Sequence, residues 1–365
     1  MKIFDLNHYS EASKKEGFCM LHTGAEEKWT KICAEPKKVL TRLPERNNGQ
    51  AVYIGYMAYP NPKLKNKIPD LRFYGYSNSV THHHKKGEKI ATLESSYKTS
   101  GRLEQSVTKA EYIKKIIEVK ELLAAGEIYQ LNYAIRFRKK FTGGPYNLFL
   151  KLIENNPTNF SAFLNCGGFQ IISNSPERLF RVEKNRIMTQ PIKGTISKKG
   201  GKKAIERLLA SEKERAELDM ITDLERNDVG KICKYGTLEL SKEREVIELT
   251  NLYHTYSEVR GNLPRGTTRT KIVKAMFPGG SVTGCPKKRA MEYIEKLEGM
   301  PRHIFTGSIF HIEGGVMNSN ICIRTALVRN GTIEYWAGGG IVADSDPKKE
   351  YEECLLKAEK FLNVL

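Results

Sequence analysis

The chain has 365 residues, of which 60 are Lys or Arg and 42 are Asp or Glu, so its formal charge is +18. Apolar residues make up 39% and charged residues 28%, which excludes disordered and collagen-like chains. The longest apolar stretch, Ala51–Tyr59, is far shorter than the roughly 18 residues of a membrane span, and the N-terminus lacks the apolar segment of a secretory signal.

The cysteines and the positive charge bear on location and partners. The seven cysteines form no CxxC pair, which favours free thiols in a reducing cytoplasm over disulfides or a structural zinc site. The lysines are spread along the chain, so we interpret the charge as a solvated surface and not as a nucleic-acid site.

The first part of the chain carries weak signals. Ala51–Tyr59 predicts a buried strand, Leu71–Tyr76 predicts a second, and the polar residues 77–105 predict a loop or an irregular edge. The triplet His82–His84 predicts solvent-exposed loop histidines, because its neighbours are lysines and no carboxylate is recognised near it.

Clear signals begin at residue 106. Thr108 and Glu111 predict a capping box that starts a helix, and Gly126 is placed to end it. The predicted strands that follow cover 127–137, 160–165, 169–174, 179–183, 187–190, 237–260, 304–312, 317–329 and 332–337. The predicted helices cover 201–232 in two pieces, 267–276, 286–298 and 347–363. Strands in runs favour an α+β fold with largely antiparallel sheets.

Two glycine-rich segments are candidates for binding an anion. Pro278–Lys287 leads into a helix with Pro286 at the predicted first position, and it lacks the GK[ST] of a Walker loop. Ala337–Ala343 matches GxGxxA, but the strand and acidic residue of a dinucleotide fold do not follow it. Each segment has two possible interpretations: its backbone amides bind a carboxylate, or it forms only a tight turn.

Two acidic pairs are candidates for a metal site. Glu214 with Glu217, and Glu350 with Glu353, are each three residues apart on a predicted helix, so each pair shares a helical face. If the two helices face each other, these carboxylates could hold Mg²⁺ through their oxygens. The alternative is that both glutamate pairs face solvent.

Three further charged residues are candidates for catalysis or binding. Lys193, between Pro191 and Gly194, fits a positioned nucleophile, and Glu177 fits a general acid if burial raises its pKa. A surface lysine and an ion-paired glutamate remain the alternatives. Arg324 falls within the apolar segment 317–329, where a buried guanidinium needs an anion such as a carboxylate.

Taken together and in order, eight segments resemble those of the chorismate-utilising enzymes. They are GEIYQLN, SNSPERLF, TQPIKGT, ERAELDMITDLERNDVGKI, FPGGSVTGCPKKRAMEYIEKLE, GSIF, ICIRTALV and AGGGIVADSDPKKEYEE. The resemblance implies two packed, mostly antiparallel sheets flanked by helices, with residues 106–365 as the chorismate-binding catalytic region and residues 1–105 as a short, divergent N-terminal part of the same fold.

Within that family the chain is most similar to the aminodeoxychorismate synthases. Lys193 stands where anthranilate synthases generally have Ala, and Gln130 stands where the water-using members have a general-base lysine. The resemblance therefore implies that chorismate reacts with ammonia and not with water. The rival reading is an anthranilate synthase component I.

The resemblance also implies roles for residues. Mg²⁺ would be held by Glu217 and Glu353 with support from Glu214 and Glu350, while Lys193 attacks the ring and Glu177 protonates the leaving hydroxyl group. The substrate-binding residues it implies are Gln130, Thr195, His254, Ser281, Val282, Thr283, His311, Arg324, Gly338, Gly339 and Gly340. The implied partners are chorismate, ammonia and a separate glutamine amidotransferase subunit, because no glutaminase motif is recognised in the chain.

Overall fold

Two antiparallel sheets form the centre of the structure, a computed structural model that describes residues 3–24, 28–45, 51–85, 88–91, 97–249 and 252–365. The helices are α1 Ser10–Ser13, α2 Lys109–Ala124, α3 Pro145–Asn155, α4 Gly201–Ala210, α5 Glu212–Gly230, α6 Arg269–Met276, α7 Lys287–Glu298 and α8 Pro347–Leu362. The strands are β1 Ile3–Asp5, β2 Cys19–Thr23, β3 Trp29–Cys33, β4 Lys38–Leu40, β5 Val52–Met57, β6 Leu71–Tyr76, β7 Val80–His83, β8 Lys89–Ala91, β9 Tyr97–Gln105, β10 Gln130–Gly143, β11 Phe160–Asn165, β12 Phe169–Ser175, β13 Arg178–Glu183, β14 Arg186–Gln190, β15 Ile192–Ser197, β16 Glu239–Leu249, β17 Leu252–Asn262, β18 Gly284–Cys285, β19 Ser308–Glu313, β20 Val316–Asn320, β21 Thr325–Arg329 and β22 Thr332–Ile341.

The first sheet runs in the order β18-β10-β22-β21-β12-β11-β2-β3-β7, with β9 also paired to β10. The second runs β15-β17-β14-β13-β20-β19-β5-β6-β4, with β16 also paired to β17. The first two strands of the second sheet and the β10–β22 pair of the first carry seven of the seventeen candidate site residues. A separate parallel pair joins β1 and β8.

Alternating side chains build a four-layer arrangement. Met20 on β2 packs with the helices α2, α3 and α8 on the outer face of the first sheet, while its neighbour Leu21 packs with Ile54 of β5 between the two sheets. Tyr53, the neighbour of Ile54, packs with the helices α5 and α6 on the outer face of the second sheet. This alternation is what strands buried on both faces produce. The predicted fold of two packed antiparallel sheets flanked by helices is confirmed.

Several local predictions are also confirmed. The strands at Ala51–Tyr59 and Leu71–Tyr76 appear as β5 and β6. Thr108 accepts a hydrogen bond from the Glu111 amide and the Glu111 side chain accepts one from the Thr108 amide, which is the predicted capping box of α2. All seven cysteines are free thiols. Among the described residues, none of the helices is long and apolar enough to cross a bilayer.

The prediction of a loop or irregular edge for residues 77–105 is wrong in part, because this segment contains β7, β8 and β9. Polar residues dominate β7 and β9, since β7 lies at the outer edge of the first sheet and β9 is largely exposed. A strand with a solvated face or edge does not need alternating apolar residues, so the usual signal is absent.

The predicted single strand at 317–329 is divided into two strands of different sheets. β20 belongs to the second sheet and β21 to the first, and the chain crosses between the sheets through residues 321–324. Ile321 and Cys322 are buried in the crossing. Arg324 consequently lies at the crossing and not within a strand, with a left-handed φ of +50°.

A buried ion pair ties α7 to the first sheet. Arg302 is fully buried, and its Nε and Nη2 donate to the Glu298 carboxylate at 2.9 and 2.6 Å. The same guanidinium donates to the carbonyls of Val282 and Asn132 at 3.0 and 2.7 Å, and Glu298 accepts the amide of Ala134 at 3.0 Å. This network fixes β10 against the glycine-rich segment that precedes α7.

Removal of the guanidinium should destabilise the protein strongly. Arg302→Met leaves Glu298 buried without its counter-charge, so we expect the free energy of unfolding to fall by about 3–5 kcal/mol in urea titrations. Arg289→Met, which breaks the exposed pair with Glu127, is the matched control and should change it little. Equal effects of the two substitutions would contradict the role assigned to Arg302.

Candidate active site

Lys193 lies on β15, next to a bulge in its pairing with β17. Thr255 of β17 donates to the Lys193 carbonyl at 2.7 Å, and the register shifts between Lys193 and Thr195. Gly194, at the bulge, has a φ of +69°, and a Cβ there would lie 2.9 Å from Thr255 Oγ1 and 3.3 Å from Glu214 Oε2. A glycine at this position therefore lets the Glu214 carboxylate of α5 approach the backbone next to the lysine.

Glu177 is buried in the turn between β12 and β13. Ser281 Oγ donates to its Oε1 at 2.9 Å. Burial raises the pKa of Glu177, and the nearby Lys193 and Arg324 only partly oppose this effect. The raised pKa favours the protonated acid, which is the form that a proton donor needs.

Arg324 faces a cavity of about 340 Å³ that His254, Tyr335 and Lys357 also line. Burial lowers the pKa of Arg324. Among the residues that the structure describes, none forms an ion pair or hydrogen bond with its guanidinium. A largely buried guanidinium in this situation is stabilised by an anion from outside the chain, and a carboxylate fits its planar fork.

His254 and Thr195 lie opposite each other on β17 and β15. His254 Nδ1 is 2.9 Å from Thr195 Oγ1 and 3.1 Å from the Gly194 carbonyl oxygen, so the ring is held beside the bulge that carries Lys193. Gln130, on β10, is also buried, and its Oε1 has no hydrogen-bond partner among the described residues. The roles of these three residues in substrate binding stay predictions.

The three glycines Gly338–Gly340 lie in β22 and not in a loop, which corrects the interpretation of that segment. A Cβ at Gly338 would lie 2.3 Å from the Tyr133 carbonyl oxygen, and one at Gly340 would lie 2.3 Å from Gln130 Nε2. The glycines thus allow β10 and the Gln130 side chain to approach closely. β22 pairs with β10 along one edge, and with β21 along its other edge only as far as Tyr335. At Gly338–Gly340 no described strand therefore pairs with that second edge.

The other glycine-rich segment is held mainly by contacts inside the protein. Ser281, Val282 and Thr283 are all buried in or just after a short 3₁₀ turn. Ser281 holds Glu177, and the Thr283 carbonyl accepts the Asn132 amide at 2.8 Å. α7 begins at Lys287, so Pro286 is its N-cap and not its first residue as predicted.

The four glutamates predicted to bind a metal lie on α5 and α8. Burial and the neighbouring Glu217 and Glu353 raise the pKa of Glu214, and burial together with Glu353 raises the pKa of Glu350. For Glu353 burial acts in the same direction, but Lys357, at 2.8 Å, together with Lys213 and Lys193, outweighs it and the pKa is lowered. Carboxylates that repel each other in this way, with only oxygen donors, fit Mg²⁺.

The glutamate oxygens do not, however, form a closed set of ligands. Among the described residues, the group of three ligand atoms within 4.8 Å of one another is elsewhere, at His82, His84 and Glu88. One oxygen of Glu353 is already paired with Lys357. The metal-binding role of these glutamates therefore stays a prediction.

His311 is the predicted site residue that lies apart from the others. Its Nε2 is 3.1 Å from Glu313 Oε2, its ring centre is 6.1 Å from that of Trp29, and it lines a different cavity, with Trp29 and Asn318. The structure does not bring it to Lys193.

Two residues of the site escaped sequence analysis. Lys357 donates to the Gly338 carbonyl at 3.2 Å and pairs with Glu353, one turn earlier on α8. Glu225 is buried on α5, four residues after the buried Ile221. An acidic residue at a core-facing position of a helix was the available signal for Glu225.

Glu225 carries a proton in the folded protein. Its carboxyl group contacts Thr189 Oγ1, which also lies 2.8 Å from the Leu179 carbonyl oxygen. The hydroxyl group has one hydrogen, so it satisfies both neighbours only if the Glu225 acid donates to it. Burial raises the pKa of Glu225 to about 8, and the charges of Glu177 and Asp228 act in the same direction.

The fold and the site together define an α+β protein with a cavity that Arg324 lines, and with a buried acid, Glu177, whose pKa both Arg324 and Lys193 affect. Residues 4–363 match the family described as chorismate binding enzyme. The chain belongs to this family.

Individual relatives carry two different names. The chain is 40% identical over 264 residues to anthranilate synthase component 1 of Aquifex aeolicus, covering 71% of this chain and 53% of that protein. It is 38% identical over 268 residues to aminodeoxychorismate synthase component 1 of Escherichia coli, covering 72% and 59%. The matches thus span little more than half of these relatives. The crystal structure of anthranilate synthase component I from Streptococcus pneumoniae has a TM-score of 0.78 at 25% identity, covering 95% of this chain and 90% of that chain.

The protonation of Glu225 predicts a pH-dependent stability. A carboxyl group whose pKa is raised by folding stabilises the protein fully below its unfolded value and loses this effect as pH rises through the folded value. From about pH 4.5 to 8, the wild-type protein should therefore lose up to about 1.4 kcal/mol per pH unit relative to Glu225→Gln. Urea unfolding of both proteins across this range measures the difference, and parallel pH profiles would contradict a protonated Glu225.

Proposed function

We propose that the chain is the chorismate-binding component of an aminodeoxychorismate synthase. It would catalyse the Mg²⁺-dependent reaction of chorismate with ammonia to 4-amino-4-deoxychorismate, a step toward 4-aminobenzoate and folate. The observation that carries the proposal is the convergence of Lys193 and Arg324 on the buried acid Glu177. Both cations are close enough to Glu177 to shift its pKa. The relative from Escherichia coli named aminodeoxychorismate synthase component 1 supports it.

The arrangement supplies both halves of a substitution through a covalent intermediate. The neutral amine of Lys193 forms a bond to ring carbon 2 as the bond from carbon 4 to its hydroxyl oxygen breaks, and Glu177 gives its proton to that oxygen so that water leaves. Ammonia then bonds to carbon 4, the bond between the ring and Lys193 breaks, and a proton of the new ammonium group returns to Glu177. Two easier steps replace one difficult displacement.

The two carboxylates of the substrate are assigned to opposite sides of the site. Arg324 and the open edge of β22 at Gly338–Gly340 bind one of them. Mg²⁺ bound by Glu214, Glu217, Glu350 and Glu353 would neutralise the other. His254 and Thr195 hold the wall of the cavity next to Lys193.

The proposal extends to a partner and a location. Ammonia would come from a separate glutamine amidotransferase subunit, as expected for a protein similar to relatives named component 1. The protein would work in the cytoplasm, where free thiols are maintained.

A product assay tests the proposed function. The purified chain is incubated with chorismate, ammonium and Mg²⁺, with and without an added aminodeoxychorismate lyase. We expect 4-aminobenzoate only when the lyase is present. No consumption of chorismate under either condition would overturn the proposal.

The second candidate is an anthranilate synthase component I, which the 40% identity to the Aquifex aeolicus protein favours. Anthranilate fluorescence and pyruvate release without any lyase would support it. In that case the cavity and its anion-binding residues would keep their roles, but the covalent role of Lys193 would be wrong.

Loss of the nucleophile should nearly abolish turnover. Because removal of a covalent nucleophile costs up to about 10⁶-fold in rate, we expect Lys193→Ala to lower kcat by more than about 10³-fold. Lys198→Ala, just after the end of β15, where Lys198 pairs with Glu248, is the control and should leave kcat unchanged. Chorismate amination by Lys193→Ala at the wild-type rate would exclude the covalent step.

A further inference from the structure

A cluster of two histidines and a glutamate lies at the far edge of the first sheet. One ligand atom each of His82, His84 and Glu88 falls within 4.8 Å of the others. His82 and His84 are two residues apart where β7 ends, so they project from the same face, while His83 projects from the opposite face. The sequence-based interpretation as exposed loop histidines is therefore wrong for His82 and His84, although His83 is exposed, and it overlooked Glu88, only four residues beyond His84.

The distances in this cluster match those between the ligands of a small ion. Glu88 Oε2 is 2.9 Å from His82 Nε2 and 3.4 Å from His84 Nδ1. A tetrahedral zinc ion with bonds of about 2.0–2.2 Å places its ligand atoms about 3.3 Å apart. The side chains of His84 and Glu88 are 9% and 7% exposed and that of His82 is 29% exposed, so the cluster is sheltered but reachable.

A second set of contacts orients the ring of His84. Its Nε2 is 2.7 Å from Thr30 Oγ1, and the same Oγ1 is 2.9 Å from Nδ1 of the buried His22. If His84 Nε2 donates to Thr30 and Thr30 donates to His22, the lone pair of His84 Nδ1 is directed to the cluster. The Lys85 amide also donates to Glu88 Oε2 at 3.1 Å. Metal-binding histidines are held by such outer contacts.

The cluster also adjoins open space. A cavity of about 340 Å³ is lined by His22, Thr23, His84, Glu88 and Pro157. Three protein ligands leave one position of a tetrahedral ion for water or another small ligand, and the cavity provides room for it.

We propose that His82, His84 and Glu88 bind one divalent transition-metal ion of the zinc type, with Thr30 as the residue that orients His84. Imidazole nitrogens with a carboxylate suit such ions and not Mg²⁺. Five strands of the first sheet lie between β7 and the β22 glycines, so this metal site is separate from the candidate active site. It joins β7 to the chain that leads into β8.

Zinc binding to the whole chain tests the proposal. After removal of metals with a chelator, Zn²⁺ is titrated by calorimetry with millimolar Mg²⁺ present, and Co²⁺ is used to report the ligand geometry by absorption. We expect one tight site per chain, visible d–d bands of tetrahedral Co²⁺, and a higher Tm with Zn²⁺.

Variants separate this site from adventitious binding. His84→Ala and Glu88→Gln should weaken Zn²⁺ binding by at least about 100-fold, and Thr30→Val by about 10-fold. His83→Ala, on the opposite face, is the control and should bind as the wild type does. Glu88→Gln keeps the side-chain shape, so it decides the matter if His84→Ala does not fold. Equal affinity of the wild type and Glu88→Gln, or an equal loss in His83→Ala, would overturn the proposal.

Discussion

The site depends on the burial of charge where the chain crosses from one sheet to the other. Residues 321–324 carry the chain between the two packed sheets, and this crossing places Arg324 near Glu177 in a region that little water reaches. A buried guanidinium and a buried carboxyl group are both costly unless they are neutralised. The raised pKa of Glu177 favours its neutral form and so lessens one half of this cost, and an anionic substrate at Arg324 would lessen the other.

Glycines let the surrounding elements reach this point. Gly194 makes room for Glu214 of α5, and Gly339 makes room for Glu350 of α8, whose Oε2 would lie 3.3 Å from a Cβ at that position. Two helices from opposite outer faces of the sheets thereby bring carboxylates close enough for Glu353 to raise the pKa of Glu214, while Arg324 supplies positive charge at the cavity. A planar ligand with two carboxylates, one held by a cation and one by a guanidinium, suits this distribution of charge.

Sequence patterns predicted the elements better than their assembly. Local signals such as the Thr108 capping box depend on neighbouring residues alone, and they were correct. The crossing at 321–324 was missed because an apolar run looks the same whether it stays in one sheet or passes between two. Glu225 was missed because its role depends on a partner, Thr189, that the fold brings close. Glu88 was overlooked although it lies only four residues after His84. The lysine and the acid were recognised through resemblance to a family, and their proximity is what the structure adds.

The most direct test of the account is the binding of chorismate to protein that cannot turn it over. Calorimetric titration with Mg²⁺ present compares Lys193→Ala with Lys193→Ala/Arg324→Met. If Arg324 receives a substrate carboxylate in a buried site, the second substitution should weaken binding by at least about 10-fold, because a charge-assisted hydrogen bond contributes about 1.5–3 kcal/mol. Equal affinities of the two variants would show that the anion binds elsewhere and would contradict the site described for this chain.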